Sequence, residues 1–220
     1  MIRVLAIADE IDRRLTVPRM REIAPDLVVA CGDLPFEYLE LVSSAVNRPL
    51  LFVPGNHDPD LSRMRDPFTA VGVGPAIRLP DFESMYDHGE RPRGGTNIDG
   101  KIHEEKGLVF AGLGGSIRYR QGPNMYTEEQ MRRRVRRMVR RARWRRRSVD
   151  VVITHSPPRR LGDGVDDAHR GFESFHTLIE RLHPRLLLHG HVHPHGVHRP
   201  DRVVDGTRIV NVIPYTVLEV

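Results

Sequence analysis

The sequence predicts an α/β fold in which buried strands alternate with helices. Three observations carry this. Apolar runs at 2–8, 27–31, 50–53, 149–154 and 186–189 are short and end at Gly, Pro, Asp or His, as strands buried on both faces do. Stretches with apolar residues at helical spacing lie between several of them. Strand–helix–strand alternation needs crossover connections and so implies parallel pairing.

Taken in order, residues 2–8 form the first strand, Ile/Val/Leu/Ala-rich and unbroken by Gly or Pro. A short helix over 16–23 stops before Pro25. Residues 27–31 are the second strand. Pro35 suits the first turn of a helix that places Phe36, Leu39, Val42 and Val46 on one face. Residues 50–53 are the third strand, cut by Pro54-Gly55. Residues 59–100, rich in Pro, Gly and Asp, predict an irregular excursion with one short helix. A hairpin follows, 101–104 and 107–113 turning at Glu105-Lys106. Thr127 and Gln130 fit a capping box, and Met131, Val135, Met138, Val139 and Ala142 then recur at helical spacing. Strand 149–154, helix 172–182 and strand 186–189 complete the alternation. Residues 195–220 predict antiparallel strands.

The chain has 220 residues, enough for one large core, and a single domain over 1–220 is expected. The lone cysteine, Cys31, excludes an internal disulfide framework and a cysteine zinc site, and its apolar flanks predict a buried thiol. The opening apolar run is too short for a signal peptide and no stretch is long enough to span a membrane, so a cytoplasmic protein is expected. The net charge of +5 rests on Arg, because only Lys101 and Lys106 are lysines. Eleven Arg fall between 132 and 147. They flank a good apolar stripe, which predicts a solvated helix face; nucleic-acid binding through 132–147 is the alternative.

The chemistry is written at the strand ends. The runs terminate at Asp9, Gly32-Asp33, Gly55-Asn56-His57-Asp58, His155 and His189-Gly190-His191-Val192-His193. Ligand sites in open α/β sheets form at that edge. In extended chain His189, His191, His193 and His195 would share a face, while Gly190 and Pro194 favour a turn that converges two imidazoles. Carboxylate, imidazole and amide without thiolate suit Mn²⁺, Fe or Zn²⁺ rather than Ca²⁺ or a structural zinc. Six ligands exceed one tetrahedral site, so two divalent ions are expected.

Those motifs, in their order along the chain, resemble the calcineurin-like metallophosphoesterase family. The resemblance implies an α/β fold in the form of a four-layer αββα sandwich of two mixed β-sheets. It implies Asp9, Asp33 and His193 on one metal, and Asp33, Asn56, His155 and His191 on the other, with Asp33 bridging. It implies a metal-dependent phosphoesterase in which the ions neutralise phosphate oxygens and activate a water between them, and His57 protonates the leaving oxygen. Asp58 is left open, as a group that orients a neighbour or caps a turn.

Two departures matter. The family's first motif is Asp-x-His, whereas this chain has Asp9-Glu10-Ile11; Glu10 or Asp12 would have to compensate, or one metal is held weakly. The Arg that follows the second motif in phosphoprotein phosphatases is absent from Leu34-Pro35-Phe36-Glu37, which leaves a phosphodiesterase or small-ester phosphatase. The competing reading is a weakly active or inactive binding or scaffold protein on the same fold. Arg118, after Gly114-Gly115, and His169-Arg170 are the candidates to contact a phosphate-ester substrate.

Overall fold

A computed structural model describes residues 1–61, 94–145, 148–194 and 200–220. In chain order the elements are β1 (Arg3–Ile7), α1 (Val17–Ile23), β2 (Leu27–Ala30), α2 (Phe36–Val46), β3 (Leu50–Phe52), β4 (Gly95–Asn97), β5 (Ile102–Glu105), β6 (Leu108–Leu113), β7 (Ser116–Ile117) and β8 (Met125–Tyr126). Then follow α3 (Glu128–Arg145), β9 (Val151–Thr154), α4 (Ser174–Leu182), β10 (Leu186–His189), β11 (Arg202–Val204), β12 (Thr207–Asn211) and β13 (Tyr215–Glu219).

Two mixed sheets form, ordered β13-β1-β2-β3-β4 and β11-β12-β10-β9-β6-β5. Their period-two alternation sorts side chains into layers. Val4, Ala6, Val29 and Leu51 of the first sheet pack against Phe110, Val151, Ile153 and Leu188 of the second. The intervening Leu5, Ile7, Val28 and Leu50 face Met20 of α1 and Leu39 and Val42 of α2. Val109, Val152 and Leu187 face Met131, Val135 and Met138 of α3 and Phe175 and Leu178 of α4. Helices therefore cover both outer faces, giving the four-layer αββα sandwich. Fully buried Phe110, Phe172 and Phe175 contribute about 1.5–3 kcal/mol each.

Helix ends follow local chemistry. Thr16 Oγ1 accepts from the Arg19 N–H at 3.4 Å at the start of α1. Thr127 and Gln130 form a reciprocal capping box on α3, with Gln130 Oε1 accepting from Thr127 N at 2.8 Å and Thr127 Oγ1 from Gln130 N at 3.2 Å. Glu128 then reaches across to accept from Glu173 N and Ser174 N at 3.0 and 2.9 Å, so one carboxylate holds the N-terminus of α4 against α3. Phe172, expected to open that helix, instead bridges Pro158, and α4 begins at Ser174.

Three expectations are corrected. The hairpin turns at Lys106-Gly107, both at positive φ, one residue later than predicted. The C-terminal strands are not simply antiparallel: β12 runs parallel to β10, β11 pairs antiparallel with β12, and β13 crosses to the other sheet beside β1. Strand β4, Gly-Thr-Asn, has no apolar signal and forms through backbone pairing with β3. The short helix expected within 59–100 falls largely on residues outside those described. Among the described residues no helix is long and apolar enough to cross a membrane.

Candidate metal centre

The C-terminal ends of β1, β2, β3, β9 and β10 meet at one edge of the sandwich, and each run of backbone bends sharply there. Asp9, Asp33 and His191 adopt positive φ of 58, 56 and 67°. Such backbone costs of order 1–3 kcal/mol for a non-glycine residue and gathers at functional sites. The turns need space as well. A Cβ on Gly32 would lie 2.4 Å from Gly55 N and 2.9 Å from His155 Nδ1, and one on Gly190 would lie 2.2 Å from Asp9 Oδ2.

Four side chains converge at the centre. Ligand atoms of Asp33, His155 and His191 all lie within 4.8 Å of one another. Asn56 Oδ1 is 3.0 Å from His155 Nε2, and Asp33 Oδ2 is 3.2 Å from the same nitrogen. The buried His155 ring donates Nδ1–H to the Cys31 carbonyl at 2.8 Å, which leaves Nε2 to the centre. His191 uses the opposite nitrogen, Nε2 donating to the Ala168 carbonyl at 2.8 Å, which leaves Nδ1. Backbone carbonyls thus fix both tautomers, as they do for metal-binding imidazoles.

A second group adjoins the first. Asp9 Oδ2 accepts from the His191 N–H at 2.9 Å, and Oδ1 lies 3.9 Å from His193 Nε2. Glu10 Oε1 accepts from His193 Nδ1 at 2.6 Å, which again leaves Nε2 facing the carboxylate. Asn211 Nδ2 donates to the Val192 carbonyl at 2.7 Å and pins this turn. Asp12 instead pairs with Arg14 at 2.7 Å, and Ile11 is 51% exposed.

The electrostatics ask for positive charge. Burial raises the Asp9 carboxyl to about 6, with the Asp33 charge adding to it against the pull of His155 and the His191 N–H. Burial alone would raise Asp33 and lower His155; their mutual charge and hydrogen bond prevail, holding Asp33 at about 2 and His155 at about 9. Among the described residues no Lys or Arg pairs with either carboxylate, and buried carboxylates are costly unless a cation compensates them. A proton on His155 takes that part here, and a divalent ion among these oxygen and imidazole donors fits the same need. Burial and the His155 charge lower His191 to about 3, which keeps that ring neutral, as a ligand must be.

The rim carries the remaining groups. His57, exposed, is anchored through its N–H to Asp33 Oδ1 at 2.8 Å. Asp58 Oδ2 accepts from Asp33 N at 3.0 Å and Gly55 N at 2.7 Å, so it ties the loop that presents Asp33 to the loop that presents Asn56 and His57. Arg118 is directed elsewhere: its guanidinium donates to the Met125 carbonyl and to Gln130 Oε1. The next two residues reach the site, with Tyr119 Oη 3.4 Å from Asn56 Nδ2 and Arg120 Nη2 3.4 Å from His57 Nδ1. Asn124 ties this segment to the carbonyls of Asp58 and Pro59 at 3.0 and 3.2 Å. Nothing in the local sequence separates Arg118 from Arg120, so which of the two reaches the site is visible only in the fold.

His169 pairs with Asp166 at 2.8 Å and its ring lies 5.4 Å from that of His191; Arg170 is exposed. The four-histidine face does not form. Gly190 and the positive φ of His191 break the period of two, and His189 is buried with Nδ1 at 3.0 Å from the Gly190 carbonyl. His195 lies outside the described residues.

Comparison with known proteins agrees with this layout. The sequence matches the calcineurin-like phosphoesterases over residues 3–195. No curated protein matches it. Among solved structures, TT1561 of Thermus thermophilus superposes with a TM-score of 0.57 at 15% identity, covering 96% of this chain and 88% of that one. Another superposes with a TM-score of 0.61 at 16% identity, covering 96% and 90%. At such identities the likeness speaks for the fold alone. The matched span contains every strand end described above, and the chain belongs to the calcineurin-like phosphoesterase family.

Proposed function

We propose that the chain is a metal-dependent phosphoesterase, a phosphodiesterase or small-ester phosphatase, with a dinuclear centre. Asp33, Asn56, His155 and His191 hold one ion; Asp9, Asp33 and His193 hold the other, Asp33 being shared. The observation that carries this reading is the convergence of Asp33, His155 and His191 donor atoms within 4.8 Å, with Asn56 Oδ1 beside them. When bound, two divalent ions, Mn²⁺ foremost with Fe or Zn²⁺ as alternatives, supply neutralisation of phosphoryl oxygens and activation of the attacking water.

The chain's own groups do the rest. Cys31 and Ala168 carbonyls, Asp58 and Glu10 orient the ligands. His57 stands at the rim, where it can give a proton to the leaving oxygen. Arginine only donates, so His57 Nδ1 accepts from Arg120 in this arrangement. A general acid needs the imidazolium, which cannot accept from Arg120. His57 therefore serves as acid once Arg120 has another acceptor, and a substrate phosphate is one. Arg120 thus binds phosphate and releases His57 in one movement.

The test is hydrolysis of an aryl phosphodiester and an aryl phosphomonoester with Mn²⁺, Fe²⁺, Co²⁺ or Zn²⁺ across about pH 6–9, alongside metal analysis. Turnover that requires added metal is expected. Absence of turnover with all four ions would favour the second reading, a binding protein on this fold, to which the replacement of an imidazole by exposed Ile11 points.

A further inference from the structure

The outer face of α3 has a feature that phosphoester hydrolysis does not use. Between Glu129 and Asp150 the chain has no acidic residue. Arg133, Arg136, Arg137, Arg140 and Arg143 of α3, with Arg181 of α4, line a groove of about 640 Å³ floored by Val135 and Val139. Nearby acids are already engaged: Glu129 with Arg132 and Arg133, Glu180 with Arg181, and Glu128 with the backbone of α4. Among the described residues no ion pair joins Arg136, Arg137, Arg140 or Arg143 to an acid. Arg134 and Arg141 turn the other way, to Asp99 and to the Gly100 carbonyl, and fasten the helix to the body.

The cations form a line. Residues three or four apart on a helix stack on one face, one guanidinium about every 5.4 Å. That spacing suits a chain of phosphates; one headgroup or free phosphate would need the cations to converge on a point. Trp144 follows Arg143 at the end of the line and is 87% exposed. An exposed indole beside a track of guanidinium groups is a platform for a stacked base. A membrane surface would need several apolar residues among the cations, and Trp144 is the one large exposed hydrophobe of α3.

We propose that the α3–α4 groove binds single-stranded nucleic acid, its phosphates along the Arg133–Arg143 line and a base on Trp144. This surface is separate from the metal centre, and the proposal does not depend on the hydrolytic reading.

The experiment is fluorescence anisotropy of a labelled oligothymidylate of about 15 nucleotides, within the usual span of such tracks. The full chain is used with Mn²⁺ present, probe integrity is checked on a gel, and salt is varied around about 0.15 M. Binding at that salt is expected. Combined Arg133→Gln, Arg137→Gln and Arg140→Gln should weaken it and reduce the magnitude of the log K against log [salt] slope by about 2, at ~0.7 per phosphate contact. Trp144→Ala should weaken binding about 5- to 100-fold with the slope unchanged. Thermal melts and aryl-ester turnover of the variants should match the parent, which separates lost binding from lost folding. No binding at physiological salt would overturn the proposal, as would binding indifferent to both sets of substitutions. So would Arg-dependent capture by phosphatidylserine-containing vesicles without capture of the oligonucleotide, which would assign the face to a membrane surface.

Discussion

Glu10 accepts a hydrogen bond from Nδ1 of His193 at 2.6 Å, although the two residues stand 183 positions apart. The acid next to Asp9 therefore orients an imidazole that faces the centre, while Asp12 is taken by Arg14. Glu10 and Asp12, the two acids that flank Ile11, are thus engaged with His193 and Arg14. On the proposed assignment the His193 ion has fewer protein ligands than the His155 ion and is held more loosely. Glu10→Gln should weaken it by about 10- to 100-fold, the usual cost of losing an orienting partner, and Ile11→His should tighten it. Calorimetric titration of metal into the apoprotein checks both. Two equally tight sites that neither substitution changes would show that another group completes the weaker one.

His57 and Arg120 should separate in kinetics. His57→Ala is expected to cut turnover about 10²–10⁴-fold at unchanged metal content, with a smaller loss for a leaving group that needs little protonation. Arg120→Gln should chiefly raise KM, by about 10-fold or more, as expected for one charged hydrogen bond to phosphate. Metal lost from the His57 variant would make that residue a ligand. An unchanged KM in the Arg120 variant would remove the phosphate contact.

Asp58 gives a stability test. Its Oδ2, largely buried, satisfies the N–H groups of both Asp33 and Gly55, on two different loops. Asp58→Ala leaves two donors unpaired, at about 1–3 kcal/mol each. At roughly 2–4 °C per kcal/mol for a chain of this size, Tm should fall by several degrees to over ten. Asp58→Asn retains a carbonyl acceptor and should fall less. Equal melting of all three proteins would return Asp58 to a surface turn former.

Metal-free protein should lose stability as pH rises. His155 stands at about 9 when folded against 6.5 ordinarily. Its stabilising contribution is complete below pH 6.5 and is lost as pH climbs through about 9. Asp9, raised from 3.8 to about 6, is costly to ionise in the folded state and adds a penalty that grows between those values. Asp33 works in the other direction, losing its contribution only as pH falls from 3.8 through about 2. In chelator, Tm should therefore decline between pH 6.5 and 9, and the gain on adding Mn²⁺ should widen over the same range as His155 gives up its proton. A gain that narrowed towards pH 9 would place the metal elsewhere.

The sequence by itself determined the layers and the ligand types. The alternation of Val4 and Ala6 with Leu5 and Ile7 between two buried layers, the capping box at Thr127 and Gln130, and the Asp or His at each strand end are local consequences of a period of two, a period of 3.6 and turn chemistry. A residue's face is set by its own strand, so these can be read without knowing the partner. Tertiary structure decided everything that depends on which strand ends become neighbours. It aimed His155 Nε2 at the centre by tying Nδ1 to Cys31, gave Glu10 to His193 and buried His189 away from the site. It also turned the Arg118 guanidinium back onto Met125 and Gln130 while bringing Arg120 to His57. The His155–Cys31, Glu10–His193 and Arg120–His57 contacts are hydrogen bonds between segments far apart in the chain, whose geometry is fixed only when two sheets have packed face to face.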